Sequence, residues 1–280
     1  MAGANQRKCG RISQKVQARG CSGSTPVGLP KGMVYAFLIA TLVCAGLCVV
    51  CGAVLGGVLK IVLMIVCGIG AVGCGAYYGW CVYAYNMFSY EGKRKLSKEI
   101  VEGIAGQVTL KDGDRVLDVG CGSGALSIAV AKRNKHAMVI GCDRWGKEYA
   151  SFSKKLCYDN ASAEGVRNVN FRQGDATELP FADESFDVLV SNYVYHNIPV
   201  KDRQAVLLES LRTLKKGGTF AIHDIFSKSK YGDMEAFMQT LKTMGYTSVR
   251  LIDTTEGLFM EKKEAKRMML SASMLLIGEK

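Results

Sequence analysis

Residues 116–124 read VLDVGCGSG, a short apolar strand that runs into a glycine-rich turn. Glycine has no side chain, so such a turn lets the backbone approach a ligand closely. The glycines follow GxGxG spacing, whereas dinucleotide-binding turns follow GxGxxG spacing. Asp118 lies inside the strand, two residues before Gly120, where its carboxylate would repel a pyrophosphate but suits a cationic ligand. The motif therefore predicts a strand-to-helix turn that binds a positively charged small molecule.

Two more acids close the strands that follow this turn. Asp143 ends the apolar run VIGCD, 23 residues after Gly120, and an acid at about that distance suits hydrogen bonds to ribose hydroxyls. Asp175, in GDATELPF, follows the third strand, where it could accept a hydrogen bond from an adenine amino group. Acids after three successive strands predict a nucleoside site. A nicotinamide oxidoreductase is the remaining alternative for such a fold.

The chain from residue 94 onward alternates short apolar runs with charged, helical stretches. Seven runs are predicted as strands: RVLDVG, AMVIGCD, VNFRQGD, FDVLVSNY, TFAIHDIF, SVRLIDT and SMLLIGE. The stretches around them are predicted as helices: KLSKEIVEGIAGQV, ALSIAVAKRN, KEYASFSKKLCYDNASAE, DRQAVLLESLRTL and DMEAFMQTLKTMG. This alternation predicts an α/β fold with a doubly wound, mainly parallel, seven-stranded sheet that helices cover on both faces. Ligands of such folds bind at the carboxyl ends of the strands.

Residues 94–280 resemble a class I S-adenosylmethionine-dependent methyltransferase, over about two thirds of the chain. VLDVGCGSG, CD at 142–143, GDATELPF, and FDVLVSNYVYHNI followed by LKKGG are similar to the ubiquinone/menaquinone C-methyltransferase-like branch. The resemblance implies a Rossmann-like fold, S-adenosyl-L-methionine as the cofactor, and a small-molecule methyl acceptor. It also implies that the three glycines of the turn line the methionine part, Asp143 the ribose, and Asp175 with Ala176 the adenine. The predicted cofactor-binding residues are Asp118, Gly120, Cys121, Gly122, Gly124, Asp143, Arg144, Asp175, Ala176 and Asn192.

The catalytic candidates follow the fourth and fifth strands. Methyl transfer is an in-line displacement from a sulfonium, so the protein must orient the acceptor and exclude water, and a base is needed only if the nucleophile arrives protonated. In SNYVYHNI, His196 could act as that base near neutral pH, or it could cap the loop. Tyr193 is a further candidate that could instead pack under the cofactor. Asp224 could orient the acceptor or cap a loop.

Composition argues against a metal site and a nucleic-acid surface. Six of the eleven cysteines fall in residues 33–88, and no paired CxxC stands near histidines, so we predict no metal and treat the cysteines as small apolar fillers in a reducing compartment. Residues 1–32 hold six basic residues and no acid, whereas residues 89–280 hold 29 basic and 25 acidic residues. The mixed charge of the later region favours no nucleic-acid partner.

Residues 33–88 form an apolar run of 56 residues in which Lys60 is the only charged residue. One helix of that length would extend about 84 Å, whereas a bilayer core is about 30 Å thick. Two transmembrane helices with a turn near residues 56–60 resolve this mismatch and let Lys60 reach water. A secretory signal would be far shorter, and a buried soluble hairpin would carry more charge.

The flanks of this run predict its orientation. The chain divides into a basic cytoplasmic arm (1–32), the membrane hairpin (33–88) and the methyltransferase domain (89–280). Basic residues flank the hairpin on both sides, with Lys93, Arg94, Lys95 and Lys98 after it, so both termini and the catalytic domain are predicted to be cytoplasmic. Several of the aromatic residues in YYGWCVYAYNMFSY, residues 77–90, are predicted to be anchors at the membrane surface.

Three functions are compatible with these features. The first is a membrane-anchored methyltransferase for a small lipophilic acceptor, with the lipid bilayer as partner. The second is a methyltransferase for a soluble small molecule or a membrane protein, with the hairpin as an address only. The third is a non-catalytic S-adenosylmethionine-binding scaffold, which the intact set of glycines and acids disfavours. The sequence indicates no oligomeric state.

Overall fold

The computed structural model describes residues 31–90, 93–146 and 152–280. The predicted basic arm, residues 1–32, lies outside the described residues apart from its last two positions, which begin the first helix. Two long apolar helices come first: α1 spans Lys31–Val54 and α2 spans Gly57–Phe88. The chain reverses between them at residues 55–56.

α1 and α2 pack side by side and antiparallel. At the open end of this hairpin the rings of Phe37 and Tyr77 lie 4.3 Å apart. Toward the closed end, Cys48 Sγ donates a hydrogen bond to the carbonyl oxygen of Met64 over 3.5 Å. Lys60 lies in the first turn of α2, directly after the reversal, so its charge stands at the tip of the hairpin.

Both helices are long and apolar enough to cross a membrane. The mean hydropathy is 2.6 for Val34–Val54 and 2.3 for Gly57–Phe88. Large apolar side chains along both helices are exposed: Tyr35, Ile39, Leu42, Leu47, Val54, Val58, Ile61, Ile65, Ile69 and Val72. A surface of this kind is stable against lipid or another apolar partner and costly in water.

α2 is longer than a membrane crossing requires. Its 32 residues extend about 48 Å, against about 30 Å for a bilayer core. The surplus end enters the core of the following α/β unit, where Cys81, Ala84 and Phe88 are buried. Phe88 was expected among the membrane-surface aromatics, but it is 2% exposed and packs with the apolar side chains of the helix that follows. The end of α2 is therefore part of the α/β unit.

The central sheet has seven strands in the order β3-β2-β1-β4-β5-β7-β6. The strands are β1 Arg115–Val119, β2 Met138–Asp143, β3 Val169–Gln173, β4 Phe186–Asn192, β5 Leu214–Ile225, β6 Thr247–Asp253 and β7 Ser273–Glu279. β7 runs antiparallel to both β5 and β6, whereas the pairings from β3 across to β5 are parallel. The predicted mainly parallel, seven-stranded sheet is confirmed.

Helices flank the sheet between these strands. They are α3 Leu96–Ala105, α4 Ala125–Ala131, α5 Lys154–Ala163, α6 Arg203–Arg212, α7 Lys228–Tyr231, α8 Met234–Thr243 and α9 Lys262–Arg267. The sequence predicted α3, α4, α5, α6 and α8, but it did not predict α7 and α9. These two helices have four and six residues, which is too short for a helical period of 3.6 residues to show in the pattern.

Apolar side chains cover both faces of the sheet. On the central strands Val116 and Val190 pack toward α3 and α4, whereas Leu117 and Leu189 pack toward α6 and α8. Burial on both faces explains why these strands read as continuous apolar runs. The sheet therefore sits between two helix layers, and its carboxyl edge is left open for a ligand.

β5 begins five residues earlier than the sequence indicated. LKKGG was expected to precede the strand, yet Leu214 already pairs with Phe186 of β4. The register shifts after this pair, and Gly217 has φ +76, so the strand contains an irregularity that glycine makes possible. The pattern of the sequence could not distinguish this bulge from a turn.

Candidate active site

A cleft of about 720 Å³ opens where β1, β2 and β4 end. Its volume falls in the range of about 300–1,000 Å³ that small-molecule sites occupy. Nine predicted cofactor-binding residues line it: Asp118, Gly120, Cys121, Gly122, Asp143, Arg144, Asp175, Ala176 and Asn192. Gly124 does not line the cleft, because it caps the start of α4 with φ +81. Of the catalytic candidates, Tyr193 lines the cleft, and His196 and Asp224 do not.

The glycine turn, residues 120–124, packs closely against β2 and against the loop after β4. Gly120 donates its N–H to the carbonyl oxygen of Cys142 over 2.7 Å and has φ +71. A Cβ atom at this position would lie 2.3 Å from the side chain of Val194. Gly120 is therefore required by both its backbone conformation and its close packing.

Asp118 is an acid almost without solvent contact, at 1% exposure. Its Oδ2 atom accepts a hydrogen bond from the Ser127 hydroxyl over 2.5 Å. Burial raises the pKa of Asp118 to about 7, against the opposing effect of Ser127. Among the described residues no cationic side chain forms an ion pair with it, so a cationic ligand in the cleft would stabilise its charged form.

Asp143 ties the ends of β1 and β2 together. Its Oδ2 atom accepts from the N–H of Gly122 over 2.8 Å, and its Oδ1 atom accepts from the N–H of Trp145 over 2.7 Å. The indole Nε1 of Trp145 donates back to the carbonyl oxygen of Gly122 over 2.9 Å. Burial raises the pKa of Asp143 despite these bonds. A carboxylate has about four acceptor positions, so Asp143 retains capacity for ligand hydroxyls.

Asp175 is the least enclosed of the three acids. Its Oδ1 atom accepts from the N–H and the hydroxyl of Thr177 over 2.9 and 2.7 Å. These hydrogen bonds lower the pKa of Asp175. Its Oδ2 atom lies 3.8 Å from Nη1 of Arg144. The carboxylate of Asp175 therefore stabilises the turn of residues 175–177, and Ala176 in this turn lines the cleft.

A closed set of hydrogen bonds fixes Asn192 and Tyr193 at the end of β4. Nδ1 of His223 lies 2.9 Å from Asn192 Oδ1, and its Nε2 lies 3.0 Å from Thr254 Oγ1. Thr254 Oγ1 lies 2.9 Å from the carbonyl oxygen of Ser273, and the hydroxyls of Ser273 and Tyr193 lie 2.7 Å apart. Burial lowers the pKa of His223 to about 3, so its ring is neutral at physiological pH.

Asp224 and His196 form a buried pair behind the cleft wall. Nδ1 of His196 lies 2.5 Å from Asp224 Oδ1, and Asp224 Oδ2 accepts from the N–H groups of Val194 and Tyr195 over 3.1 and 2.8 Å. Burial raises the pKa of Asp224, but the bonds from His196 and from backbone amides outweigh it and hold the pKa below its ordinary value. Asp224 therefore organises the loop that carries Tyr193 and Val194 into the cleft.

Several side chains that sequence reasoning missed support the glycine turn. Cys157 Sγ donates to the carbonyl oxygen of Gly122 over 3.2 Å, and Asn160 Nδ2 donates to that of Ser123 over 3.0 Å. Nothing in sequence spacing connects α5 to this turn. Ser127 did leave a signal, because it is the one polar residue in the helix sequence ALSIAVA.

Part of the cleft lining is apolar. Its lining includes Val101, Leu179, Val194, Ile198, Pro199 and Val200. Tyr90 and Ser97, just beyond the end of α2, line the same cleft. The cleft therefore has acidic, glycine and apolar residues in its lining, and it reaches the segment just beyond the end of α2.

The acidic groups of the cleft fit a cationic nucleoside and do not fit a pyrophosphate. Two buried carboxylates, Asp118 and Asp143, have pKa values that burial raises, so a cation and hydroxyl donors stabilise them whereas a diphosphate would repel them. In the described part of the chain no group of three or more His, Cys, Asp or Glu residues is placed to hold a metal ion.

Comparison with known proteins shows which nucleoside cofactor the family uses. A family model described as a methyltransferase domain matches residues 110–272, which is more than half of the chain. The chain belongs to the S-adenosylmethionine-dependent methyltransferases. S-adenosylmethionine is the cofactor of this family, and a solved phosphoethanolamine N-methyltransferase 2 of Haemonchus contortus holds it.

Relatives of this methyltransferase match only part of their own length. The 27-O-demethylrifamycin SV methyltransferase of Amycolatopsis mediterranei is 31% identical over 157 residues, which cover 56% of this chain and 55% of that protein. The demethylmenaquinone methyltransferase of Lactobacillus johnsonii is 37% identical over 117 residues, covering 41% of this chain and 46% of that protein. The chain thus spans about half the length of these two relatives.

Solved structures share the fold at low sequence identity. The [4+2]-cyclase SpnF superposes with a TM-score of 0.52 at 18% identity, covering 67% of this chain and 82% of that chain. The Haemonchus enzyme superposes with a TM-score of 0.50 at 18% identity, covering 72% of this chain and 56% of that chain. These likenesses support the Rossmann-like architecture of the methyltransferase.

Proposed function

We propose that this methyltransferase is anchored in a membrane and transfers a methyl group to a small lipophilic acceptor. The observation that carries this proposal is the position of the cleft beside the hairpin. α2 ends at Phe88, and Tyr90, Ser97 and Val101 of the next segment line the cleft. An apolar molecule that concentrates in the bilayer would meet the site directly at the end of this helix.

Several relatives support an apolar acceptor. Proteins named as demethylmenaquinone methyltransferase and 2-phytyl-1,4-naphtoquinone methyltransferase are 37% and 39% identical to this chain over 117 and 116 residues. The apolar lining of the cleft agrees with acceptors of that character, since apolar walls bind ligands mainly by excluding water. We therefore infer an apolar acceptor and leave the accepting atom open.

The glycine-lined part of the cleft is assigned to the cofactor. S-adenosylmethionine supplies a methyl group that its sulfonium already activates. Asp118 would bind the cationic amino-acid end, while the backbone of Gly120 and Gly122 borders it. Asp143 would accept hydrogen bonds from hydroxyls, and the turn of Asp175 and Ala176 would border the base. Each of these residues lies on the cleft wall, within one continuous lining.

The residues after β4 and β5 are assigned to positioning. Tyr193 lies on the cleft wall, but its hydroxyl is already bonded to Ser273, and burial raises its pKa. His196 and Asp224 hold the loop from behind. A base is unnecessary for an acceptor that arrives ionised or as a carbon nucleophile, so orientation and exclusion of water are the main demands on these residues. That His196 acts as a base stays a prediction from the sequence.

The membrane arrangement follows from the hairpin and its basic flanks. Two crossings place residues before α1 and after α2 on one side, and basic flanks favour the cytoplasm. We therefore place both termini and the catalytic unit there. Lys60, at the tip of the hairpin, would reach water on the opposite side.

A labelling experiment tests the proposed function. Full-length protein in lipid vesicles receives methyl-labelled S-adenosylmethionine together with a total cell extract, and the products are partitioned between organic and aqueous phases. We expect label in the organic phase. Asp118→Asn should abolish this label, because it removes the carboxylate that binds the cofactor cation. Asp159→Asn is the matched control, since Asp159 is exposed and, among the described residues, its ion pair is with Lys155 on α5.

The other outcomes identify the rival functions. Label confined to the aqueous or protein fraction would contradict a lipophilic acceptor and make the hairpin an address. Absence of label in every fraction, with cofactor binding intact, would indicate a binding scaffold.

A further inference from the structure

The end of α2 is fastened to α9, a helix about 180 residues further along the chain. The indole Nε1 of Trp80 donates to the carbonyl oxygen of Arg267 over 2.8 Å. Arg94, just after α2, bonds Glu264 through its Nε and Nη2 atoms over 2.6 and 2.9 Å, and it also pairs with Glu99. α9 therefore lies against the point where the chain leaves the hairpin.

The length of α2 sets the depth of this contact, given the proposed membrane anchoring. About 20 residues cross a bilayer core of about 30 Å, so a crossing that begins near Gly57 ends near Tyr77. α1 reaches the same level there, because Phe37 packs against Tyr77. Trp80 lies about one helical turn beyond, in the headgroup layer where tryptophan is enriched. Its partner α9 is then at headgroup level as well.

The outer face of α9 is basic. Lys263, Lys266 and Arg267 have i, i+3, i+4 spacing, so they share one face of the helix, and all three are exposed. Ala265 and Met268 are buried on the opposite side. None of the three cations forms an ion pair with a residue that the structure describes. Arg94, by contrast, is neutralised by its two glutamates.

Exposed apolar side chains flank α9 in the sequence. Met269, directly after α9, is 64% exposed, and Leu258, shortly before it, is 46% exposed. Basic residues next to exposed apolar ones are typical of surfaces that bind anionic lipid and dip into the acyl boundary. In water, the exposed apolar side chains would remain hydrated, which is unfavourable.

We propose that the outer face of α9, formed by Lys263, Lys266 and Arg267, binds the headgroups of anionic phospholipids while Leu258 and Met269 enter the acyl boundary. This inference rests on the proposed membrane anchoring and extends it from the hairpin to the catalytic unit. A basic side chain near an anionic bilayer strengthens the attraction about fivefold. The contact fixes the tilt of the catalytic unit, so that the cleft keeps a constant position relative to the bilayer.

Hydrogen exchange on the full-length protein in nanodiscs tests this surface. One nanodisc preparation contains phosphatidylcholine alone, and the other contains phosphatidylcholine with phosphatidylserine. We expect exchange of residues 258–269 to slow at least about tenfold with phosphatidylserine. The triple variant Lys263→Gln, Lys266→Gln, Arg267→Gln should lose this slowing while its cofactor affinity stays unchanged.

A charge-matched control separates local binding from net charge. Lys216→Gln, Lys242→Gln, Arg250→Gln removes three exposed cations from β5, α8 and β6, and it should keep the slowing. An equal loss of slowing in this control would overturn the α9 surface and leave the proposed function intact. The same conclusion would follow if wild-type protein resists carbonate extraction but shows no slowing that depends on phosphatidylserine. Carbonate extraction of wild-type protein from vesicles would overturn the membrane anchoring and the α9 surface together.

Discussion

Nδ1 of His196 lies 2.5 Å from Oδ1 of Asp224, and neither side chain lines the cleft that holds the predicted cofactor-binding residues. Both are buried, at 6% and 0% exposure. The same carboxylate accepts from the N–H groups of Val194 and Tyr195. The pair therefore acts on the cleft through the backbone that it holds.

Asp224→Ala should destabilise the protein by about 3–5 kcal/mol, because it leaves the buried His196 and the N–H groups of Val194 and Tyr195 without their acceptor. The pKa of Asp224 lies below its ordinary value of 3.8. Its contribution to stability is thus fully present above that pH and is lost as the pH falls through the folded-state pKa. Thermal unfolding of wild type and variant across acidic pH measures both effects. An Asp224→Ala protein that melts like wild type but has no turnover would instead place Asp224 at the reacting groups.

Cofactor affinity should depend on the charge of Asp118. Its pKa is about 7 in the ligand-free cleft, and a cationic ligand binds the ionised form. Binding of S-adenosylmethionine should therefore strengthen between about pH 6 and about pH 8, by up to about tenfold per pH unit below the pKa. Isothermal titration at several pH values measures this.

The variant Asp118→Asn should bind weakly and lose most of this pH dependence. Asp143, whose pKa burial also raises, would account for a residual slope. The free energy of unfolding of the ligand-free protein should change with pH in the opposite direction. The raised pKa of Asp118 stabilises the folded state below about pH 4, and this stabilisation is lost as the pH rises through about 7. Unchanged pH dependence in Asp118→Asn would show that another group binds the cofactor cation.

Substitution of Gly120 should reduce stability and cofactor binding far more than substitution of Gly113, a glycine that also has a positive φ. Gly120→Ala places a Cβ atom 2.3 Å from Val194 at φ +71, whereas Gly113→Ala, at φ +86, meets open space. Gly113→Ala should cost about 1–2 kcal/mol of backbone strain, and Gly120→Ala should also lose cofactor binding. Adding Val194→Ala should restore part of that binding. Equal effects of the two glycine variants would argue against the close packing.

The hydroxyl of Tyr193 should matter less to turnover than its position suggests. It is bonded to Ser273, so Tyr193→Phe should keep turnover within about tenfold of wild type, whereas loss of a general base costs about 10²–10⁴-fold. Ser273→Ala should destabilise by about 1–3 kcal/mol, because it leaves a buried hydroxyl unpaired. The double variant should be close to Tyr193→Phe alone. A loss beyond 10²-fold in Tyr193→Phe, with unchanged melting, would make the hydroxyl catalytic.

The sequence predicted the parts of the site that local spacing determines. Gly120, Asp118 and Asp143 stand at the ends of strands that apolar runs identify, and parallel strands bring such ends to one edge. Ser127 lies nine residues after Asp118 and Trp145 two residues after Asp143, yet their roles depend on side-chain directions that spacing does not give.

Other parts depend on the order of the strands and could not be read from the chain. His223 meets Thr254, and Thr254 meets Ser273, because β5, β7 and β6 lie side by side, and this order has no local signature. The burial of Phe88 likewise depends on where α2 ends relative to the α/β unit. Periodicity shows only that this helix is apolar throughout.

Dependence of turnover on the surface concentration of acceptor tests the central claim most directly. A lipid extract from cells is incorporated into vesicles with the full-length protein, and its total amount is held constant while phosphatidylcholine dilutes it. If the acceptor enters the cleft from the bilayer, the rate of label transfer into the organic phase should fall in proportion to the mole fraction of the extract. A rate that stays constant on dilution would mean that the acceptor arrives from water, and it would contradict a lipophilic acceptor delivered beside α2.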